Sequence, residues 1–225
     1  MPSVDAVLFD LDDTLCSYRR SGAELLSLSF DAVGVEPFFT VEEYHERYDQ
    51  YLGTVDGMAA LRERCFADVA GAKGRDPDLG RTVARAYAAE RDQSAVEVLP
   101  GAREAVDALA GDHHLGLVTN GPPDMQREKL AATGLEGTFD VSVFAGFDAP
   151  AKPEPAPFHR ALGALGVAAD RAVHVGNSLR TDVPGAKRAG LGAAWLRQDG
   201  AEPGGDPGPD YVLEELADLA EPPWS

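Results

Sequence analysis

Val4-Asp5-Ala6-Val7-Leu8-Phe9-Asp10-Leu11-Asp12-Asp13-Thr14-Leu15 is the stretch on which the reading of this chain turns. Its apolar run, Ala6–Phe9, has the composition of a buried strand, and acids crowd in where the run ends. Unbroken apolar runs mark strands covered on both faces, the situation of central strands in a parallel sheet. In open α/β sheets the ligand site lies beyond the carboxyl ends of the strands. Asp10 and Asp12 therefore stand where a reactive group is expected.

Beyond Leu15 the pattern changes from strand to helix. Between about Arg20 and Arg91, apolar residues recur at three- and four-residue spacings over 22–33, 41–51, 59–69 and 79–89. The separators Gly34-Val35-Glu36-Pro37, Gly53-Thr54-Val55-Asp56-Gly57 and 71–77 are turn-like. No convincing strand interrupts this block, which predicts a small helical bundle. From Val98 onward strands alternate with helices. Strands are expected at Leu115-Gly116-Leu117-Val118-Thr119, Val141-Ser142-Val143-Phe144, Ala172-Val173-His174-Val175 and Ala193-Ala194-Trp195-Leu196. Helices are expected over 102–110, 124–132, 155–165 and 182–189. The segment 199–210, with four glycines and three prolines, reads as a surface loop, and 211–219 as a short strand-and-helix piece. The pattern predicts an α/β fold, a Rossmann-like parallel sheet with helices on both faces. Residues 1–17 and 95–225 form its core domain, and 18–94 an all-helical domain inserted after the first strand, beside Asp10 and Asp12.

Composition sets outer limits. The 225 residues are 44% hydrophobic, enough for a real core, and no apolar run reaches the roughly 18 residues of a membrane span. With the first strand starting so early, no signal peptide is expected. Cys16 and Cys65 are too few for a disulfide scaffold and read as buried thiols in a reducing compartment, so a cytoplasmic protein is expected. Thirty-eight acids against 20 bases give a net charge of −18, which repels nucleic acid and anionic membranes. Such a surface suits high salt, where screening relieves self-repulsion, and points to a salt-loving source. The only lysines are Lys73, Lys129, Lys152 and Lys187, so each carries weight.

Four strand ends carry polar chemistry, and in a parallel sheet all four lie on one edge. The first ends in Asp10-Leu11-Asp12-Asp13-Thr14 and the second in Thr119-Asn120-Gly121; Ala151-Lys152-Pro153-Glu154-Pro155 follows the third. The fourth ends in Gly176-Asn177-Ser178, with Asp182 five residues past Asn177. Two carboxylates, a hydroxyl with an amide, a lysine and a further polar pair can hold a dianion and a divalent cation. His113, His114, His159 and His174 are read as turn, helix or packed residues without catalytic roles. Tyr18, Arg19, Arg20, Tyr44, His45, Arg62 and Arg64 are the residues through which the helical block could read a substrate.

The ordered set Asp10-x-Asp12-x-Thr14, Thr119-Asn120, Lys152 and Gly176-Asn177-Ser178-x-x-x-Asp182 resembles the haloacid dehalogenase-like hydrolase superfamily over essentially the whole chain. The helical block is similar to the cap that one subgroup inserts between the first and second motifs. The resemblance implies a phosphatase acting on a small phosphorylated metabolite. Asp10 would be the nucleophile that forms an aspartyl-phosphate, and Asp12 the general acid and base. Thr119, Asn120 and Lys152 would bind phosphate, Lys152 adding positive charge, while Thr14 orients the first loop. Mg2+ would bind Asp10, the carbonyl of Asp12, Asn177 and Asp182. Asn177 departs from the family pattern, which has an aspartate there, and this predicts weaker metal binding. A phosphomutase shares these motifs, and Asn177 leaves open a non-catalytic, regulatory protein of the same fold. Dehalogenases of the superfamily lack the acid at the position of Asp12, because halide leaves without a proton. Oligomeric state is not legible.

Overall fold

The computed structural model describes residues 3–51, 54–55, 57–198 and 207–224. It divides into two compact units, Met1–Ser17 with Val96–Ser225, and Tyr18–Ala95. The first is a six-stranded parallel sheet in the order β5-β4-β1-β6-β7-β8. Its strands are β1 (Ala6–Phe9), β4 (His114–Asn120), β5 (Val141–Ala145), β6 (Ala172–Gly176), β7 (Gly192–Leu196) and β8 (Tyr211–Leu213). The connecting helices are α5 (Ala102–Leu109), α6 (Pro123–Thr133), α7 (Ala156–Leu165) and α8 (Asp182–Ala189). The fold is α/β, as the alternation of strand and helix predicts.

β1 is unbroken in its apolarity because both of its faces are packed. Val7 and Phe9 join a core with Leu117, Val175, Val106 and Leu109, while Ala6 and Leu8 join another with Val118, Phe158, Val183 and Trp195. Each large side chain so buried contributes roughly 1.5–3 kcal/mol. β1 pairs Ala6 with His114 on one side and with Ala172 on the other. The chain builds outward through β4 and β5 and then returns to the far side of β1. The strand order therefore reverses around β1, and its carboxyl end opens on the crevice where such sheets bind ligands. Gly116 permits the close approach of β4 to β1, since a Cβ there would lie 2.5 Å from Leu8 Cδ2.

The second unit holds α1 (Gly22–Val33), α2 (Val41–Tyr51), α3 (Gly57–Ala72) and α4 (Pro77–Glu90). α1 begins at a capping box, with Ser21 Oγ accepting from Glu24 N and Glu24 Oε2 accepting from Ser21 N. It ends at Gly34, whose φ of 74° is the left-handed cap that glycine adopts without strain. Phe30, Phe39, Tyr44, Phe66 and Tyr87 dominate the core of the unit. α3 and α4 approach closely at Gly80, where a Cβ would meet the Phe66 carbonyl oxygen at 2.3 Å.

Two short strands lie outside the sequence-based expectation, β2 (Cys16–Tyr18) and β3 (Val96–Val98), which form a two-stranded sheet. Three residues are too few to carry a periodicity. The terminal piece adds β8 to the main sheet and a 3-10 turn over Leu216–Ala220 in place of an α-helix. The loop expected over 199–210 lies outside the described residues as far as 206, as do parts of the separator 53–57. Among the described residues no helix is long and apolar enough to cross a membrane.

Candidate active site

Asp10 is the first residue past β1, and its N–H donates to Val175 O at 2.9 Å, continuing the sheet by one bond. The chain then turns sharply, with Leu15 N–H and Cys16 N–H both donating to Leu11 O at 2.9 and 3.1 Å. Asp13 takes a φ of 56°, a conformation that aspartate tolerates better than most residues. The turn keeps Asp10 and Thr14 buried at 7% and 0% exposure and leaves Asp12 partly open.

Lys152 is the hub of one half of the site. Its Nζ donates to Asp10 Oδ1 at 2.8 Å, Asp182 Oδ1 at 2.7 Å and Val118 O at 2.8 Å, which uses all three of its protons. The loop that delivers it is fixed by Asn120. Asn120 Oδ1 accepts from Lys152 N at 2.9 Å, and Asn120 Nδ2 donates to Lys152 O at 3.2 Å. Both ends of the Asn120 carboxamide are therefore engaged with the lysine loop. Asn120, expected among the phosphate-binding residues, has its side chain hydrogen-bonded to the main chain of Lys152.

Asp182, expected among the metal ligands, is held by hydrogen bonds on both oxygens. Its Oδ1 accepts from Lys152 and from His174 Nε2 at 2.9 Å, and its Oδ2 accepts from Ser178 N at 3.0 Å. Both oxygens are engaged, and the residue is only 1% exposed. Gly176 makes the fit possible, because a Cβ there would lie 2.4 Å from Asp182 Cγ. His174, read from the sequence as merely packed, thus supports this carboxylate. A carboxylate only accepts, so Nε2 carries the proton, and burial holds the imidazole below its usual pKa and neutral.

The two buried acids differ in charge balance. Burial pushes the Asp10 carboxyl up to about 7, against the lowering effect of Lys152 and with Asp182 and Asp12 adding to the rise. Burial acts in the same direction on Asp182, but Lys152 and His174 outweigh it and hold that carboxyl below the usual range. Lys152, opposed by burial, is kept charged by Asp10 and Asp182. Asp182 is therefore the settled counterion of the lysine, and Asp10 is the carboxylate short of positive charge.

Asp12 belongs to a second cluster. Lys129 Nζ donates to its Oδ1 at 2.6 Å, and Gln126 Nε2 donates to its Oδ2 at 2.9 Å. Gln126 Nε2 also lies 2.6 Å from Thr119 Oγ1. The sequence pattern gives Gln126 and Lys129 no role; the rarity of lysine in this chain is the one signal that bears on the second. Asn177 Oδ1 accepts from Thr14 Oγ1 at 3.2 Å, and the Asn177 carbonyl accepts from Trp195 Nε1 at 2.8 Å.

The donor set suits a hard cation. The residues that could hold one are Asp10, whose buried carboxylate is raised in pKa, the amide oxygen of Asn177, the main-chain carbonyl of Asp12, and Asp182. These are oxygen ligands of the kind Mg2+ takes while retaining several waters. Among the described residues no group of three or more His, Cys, Asp or Glu side chains that could hold a metal ion is found. Tyr18, Arg19 and Arg20 line a cavity of about 290 Å³ within the helical unit, together with Glu90 and Asp92. Arg62 is buried against Tyr87, and Arg64 lies over Tyr51.

A family model described as haloacid dehalogenase-like hydrolase matches residues 4–190. The chain belongs to the haloacid dehalogenase-like hydrolases. It is similar to the phosphoserine phosphatase of Thermus thermophilus, at 35% identity over 95% of this chain and 96% of that protein. Among solved structures it resembles a haloacid dehalogenase-like phosphatase from Thermococcus onnurineus, at 28% identity, 97% coverage of each chain and a TM-score of 0.63. It also resembles a 2-haloacid dehalogenase from Pseudomonas syringae pv. Tomato DC3000, at 28% identity, 97% coverage of each chain and a TM-score of 0.68. This haloacid dehalogenase-like protein is an enzyme of the hydrolase class, with relatives named for phosphate and for halide chemistry alike.

Proposed function

We propose that this enzyme is a Mg2+-dependent phosphatase that hydrolyses small phosphate monoesters through an aspartyl-phosphate on Asp10. The observation that carries the reading is the division of partners between two neighbouring carboxylates. Asp10 pairs with Lys152, as a nucleophile facing a dianion requires, and Asp12 pairs with Lys129 and Gln126 beside Thr119. Displacement of halide needs only the first of these carboxylates.

In the first step an Asp10 oxygen bonds to phosphorus, the ester P–O bond breaks, and the departing alkoxide takes a proton from Asp12. In the second step a water oxygen bonds to phosphorus, its proton returns to Asp12, and the P–O bond to Asp10 breaks, releasing phosphate. Lys152 balances charge at Asp10, and the Thr119 hydroxyl donates to a phosphate oxygen. Asp10, Asn177, Asp182 and the Asp12 carbonyl would hold Mg2+, which would supply charge compensation for phosphoryl transfer. We assign substrate selection to the residues of the helical unit. The full-length relatedness to a phosphoserine phosphatase supports a small, charged alkyl phosphate as substrate.

The test is release of phosphate from a panel of monoesters that includes phosphoserine and p-nitrophenyl phosphate, with and without Mg2+. No turnover of any member at any Mg2+ concentration overturns the proposal. Asn177→Asp is expected to lower the Mg2+ concentration for half-maximal binding on the order of tenfold, since ligand charge tunes affinity in oxygen sites. Calorimetric titration reads this directly, and unchanged affinity would remove Asn177 from the ligand set.

The surroundings are inferred in the same way. Cys16 and Cys65 are free and buried, with burial raising their thiols to about 12 and 11, which suits a reducing cytoplasm. The charge of −18 leads us to expect a thermal midpoint that rises from low to molar salt. A midpoint that stays flat or falls in a melting series would sink the salt-adaptation reading.

A further inference from the structure

We infer that Gln126 and Lys129 are positioning residues that hold Asp12, the proton carrier, in register with the phosphate-binding hydroxyl of Thr119. The inference rests on the phosphatase reading above. The two residues stand three apart on α6, one turn of one face. That face is buried, with Gln126 at 1% and Lys129 at 4% exposure beside Leu130 and Thr133. A lysine kept for solubility would extend its stem and reach water. Lys129 turns inward and places its ammonium 2.6 Å from Asp12 Oδ1, although the Asp12 side chain itself is 34% exposed. Burying an ammonium costs several kcal/mol unless a partner is held in good geometry. Lys129 is the second buried ammonium of the chain after Lys152, and the carboxylate it meets is Asp12.

Gln126 ties the second carboxylate oxygen to the phosphate site. Its carboxamide nitrogen faces Asp12 Oδ2 at 2.9 Å and the Asn120 carbonyl at 3.3 Å, both of which only accept. The group there must therefore be the NH2, and Thr119 Oγ1 at 2.6 Å must accept from it. The Thr119 proton is then not spent on Gln126, which on the phosphatase reading leaves it for a phosphate oxygen. One side chain links the proton carrier to the phosphate donor, and Lys129 fixes the other oxygen of the same carboxylate.

A proton carrier matters in proportion to the basicity of the departing oxygen. An alkoxide needs the proton, whereas p-nitrophenolate leaves with little help. The parameter kcat/KM covers the steps through the first phosphoryl transfer, so it isolates this difference from the later attack of water. A side chain that only supports the fold lowers kcat/KM for both kinds of ester by the same factor.

The experiment compares Lys129→Met with the parent enzyme in Mg2+, on p-nitrophenyl phosphate and on the best alkyl monoester of the panel. The expected result is a fall at least about tenfold larger on the alkyl ester, within the range of a general acid's contribution. In an Asp12→Asn background the same substitution is expected to add less than about twofold, because the two residues act as one unit. Equal losses on both esters, or a full further loss on top of Asp12→Asn, would overturn the inference. Should Lys129→Met not fold, Lys129→Gln keeps a donor without the charge and carries the same comparison. A parent enzyme inactive on every ester overturns the phosphatase reading and this inference with it. An active parent with equal losses overturns the inference alone.

Discussion

Asp10→Asn is expected to abolish phosphatase turnover, by on the order of 10⁴-fold or more, while making the metal-free protein more stable above pH 7. The loss of activity follows from removing the nucleophile, since an amide oxygen does not form the covalent intermediate. The gain in stability follows from burial. Asp10 is 7% exposed, and its carboxyl is raised from 3.8 to about 7. A folded-state pKa above the unfolded one means that the unfolded chain releases its proton first as pH rises. The contribution of Asp10 to stability is therefore full below about pH 4 and is lost as pH climbs through 7. The slope from one such group is at most about 1.4 kcal/mol per pH unit. Asp182 does not obscure this window, because its carboxyl is shifted downward and its contribution falls away only in acid. Urea unfolding of metal-free protein at pH 5 and pH 8 measures both effects. The parent should lose stability between the two values more steeply than Asp10→Asn, and Mg2+ should restore the parent at pH 8. Parallel curves for parent and variant would show that Asp10 is not the uncompensated charge of the site.

The same site explains what the amino-acid sequence discloses and what it withholds. β1 is legible because a strand packed on both faces must be apolar throughout, and Val7, Phe9, Ala6 and Leu8 divide between two cores. The helices of the second unit are legible for the complementary reason, since Leu25, Leu26, Phe30, Phe66 and Val83 each face one core. Lys152 is legible because its place after the third strand brings it to the edge of the sheet that holds Asp10. The bonds among these groups are not written in spacing. Asn120 and Asp182 carry the right donors and acceptors for phosphate and metal, yet both are engaged by Lys152. Gln126 and Lys129 are hidden more deeply. In α6 an amphipathic reading sends glutamine and lysine to solvent, whereas these two face inward with Leu130. Asp12, Thr119 and the Asn120 carbonyl give that polar face a reason to be buried, and a one-dimensional pattern does not contain their positions.

Lys152→Met should destabilise the protein by about 3–5 kcal/mol, the cost of leaving buried charge without its partner. Its side chain is 2% exposed and separates two carboxylates, Asp10 Oδ1 at 2.8 Å and Asp182 Oδ1 at 2.7 Å. Methionine fills much of the same volume, so the loss is electrostatic rather than a cavity effect. Asp182 retains the Ser178 N–H and His174, but Asp10 loses its ion pair with Lys152. The penalty must then depend on pH. Without the lysine the Asp10 pKa rises above its value of about 7, so the variant sheds stability as pH increases and is hurt least in mild acid, where Asp10 is protonated. Adding Asp10→Asn removes one of the two stranded charges, and the double variant should recover at least half of the loss at pH 8. Urea midpoints of the parent, the two single variants and the double variant form a closed cycle that measures this coupling. A double variant as unstable as Lys152→Met alone would mean that the lysine matters to the fold through Asp182 and Val118 O, with Asp10 a bystander. Recovery would mean that the charge placed for phosphoryl transfer is also the charge that lets the nucleophile be buried.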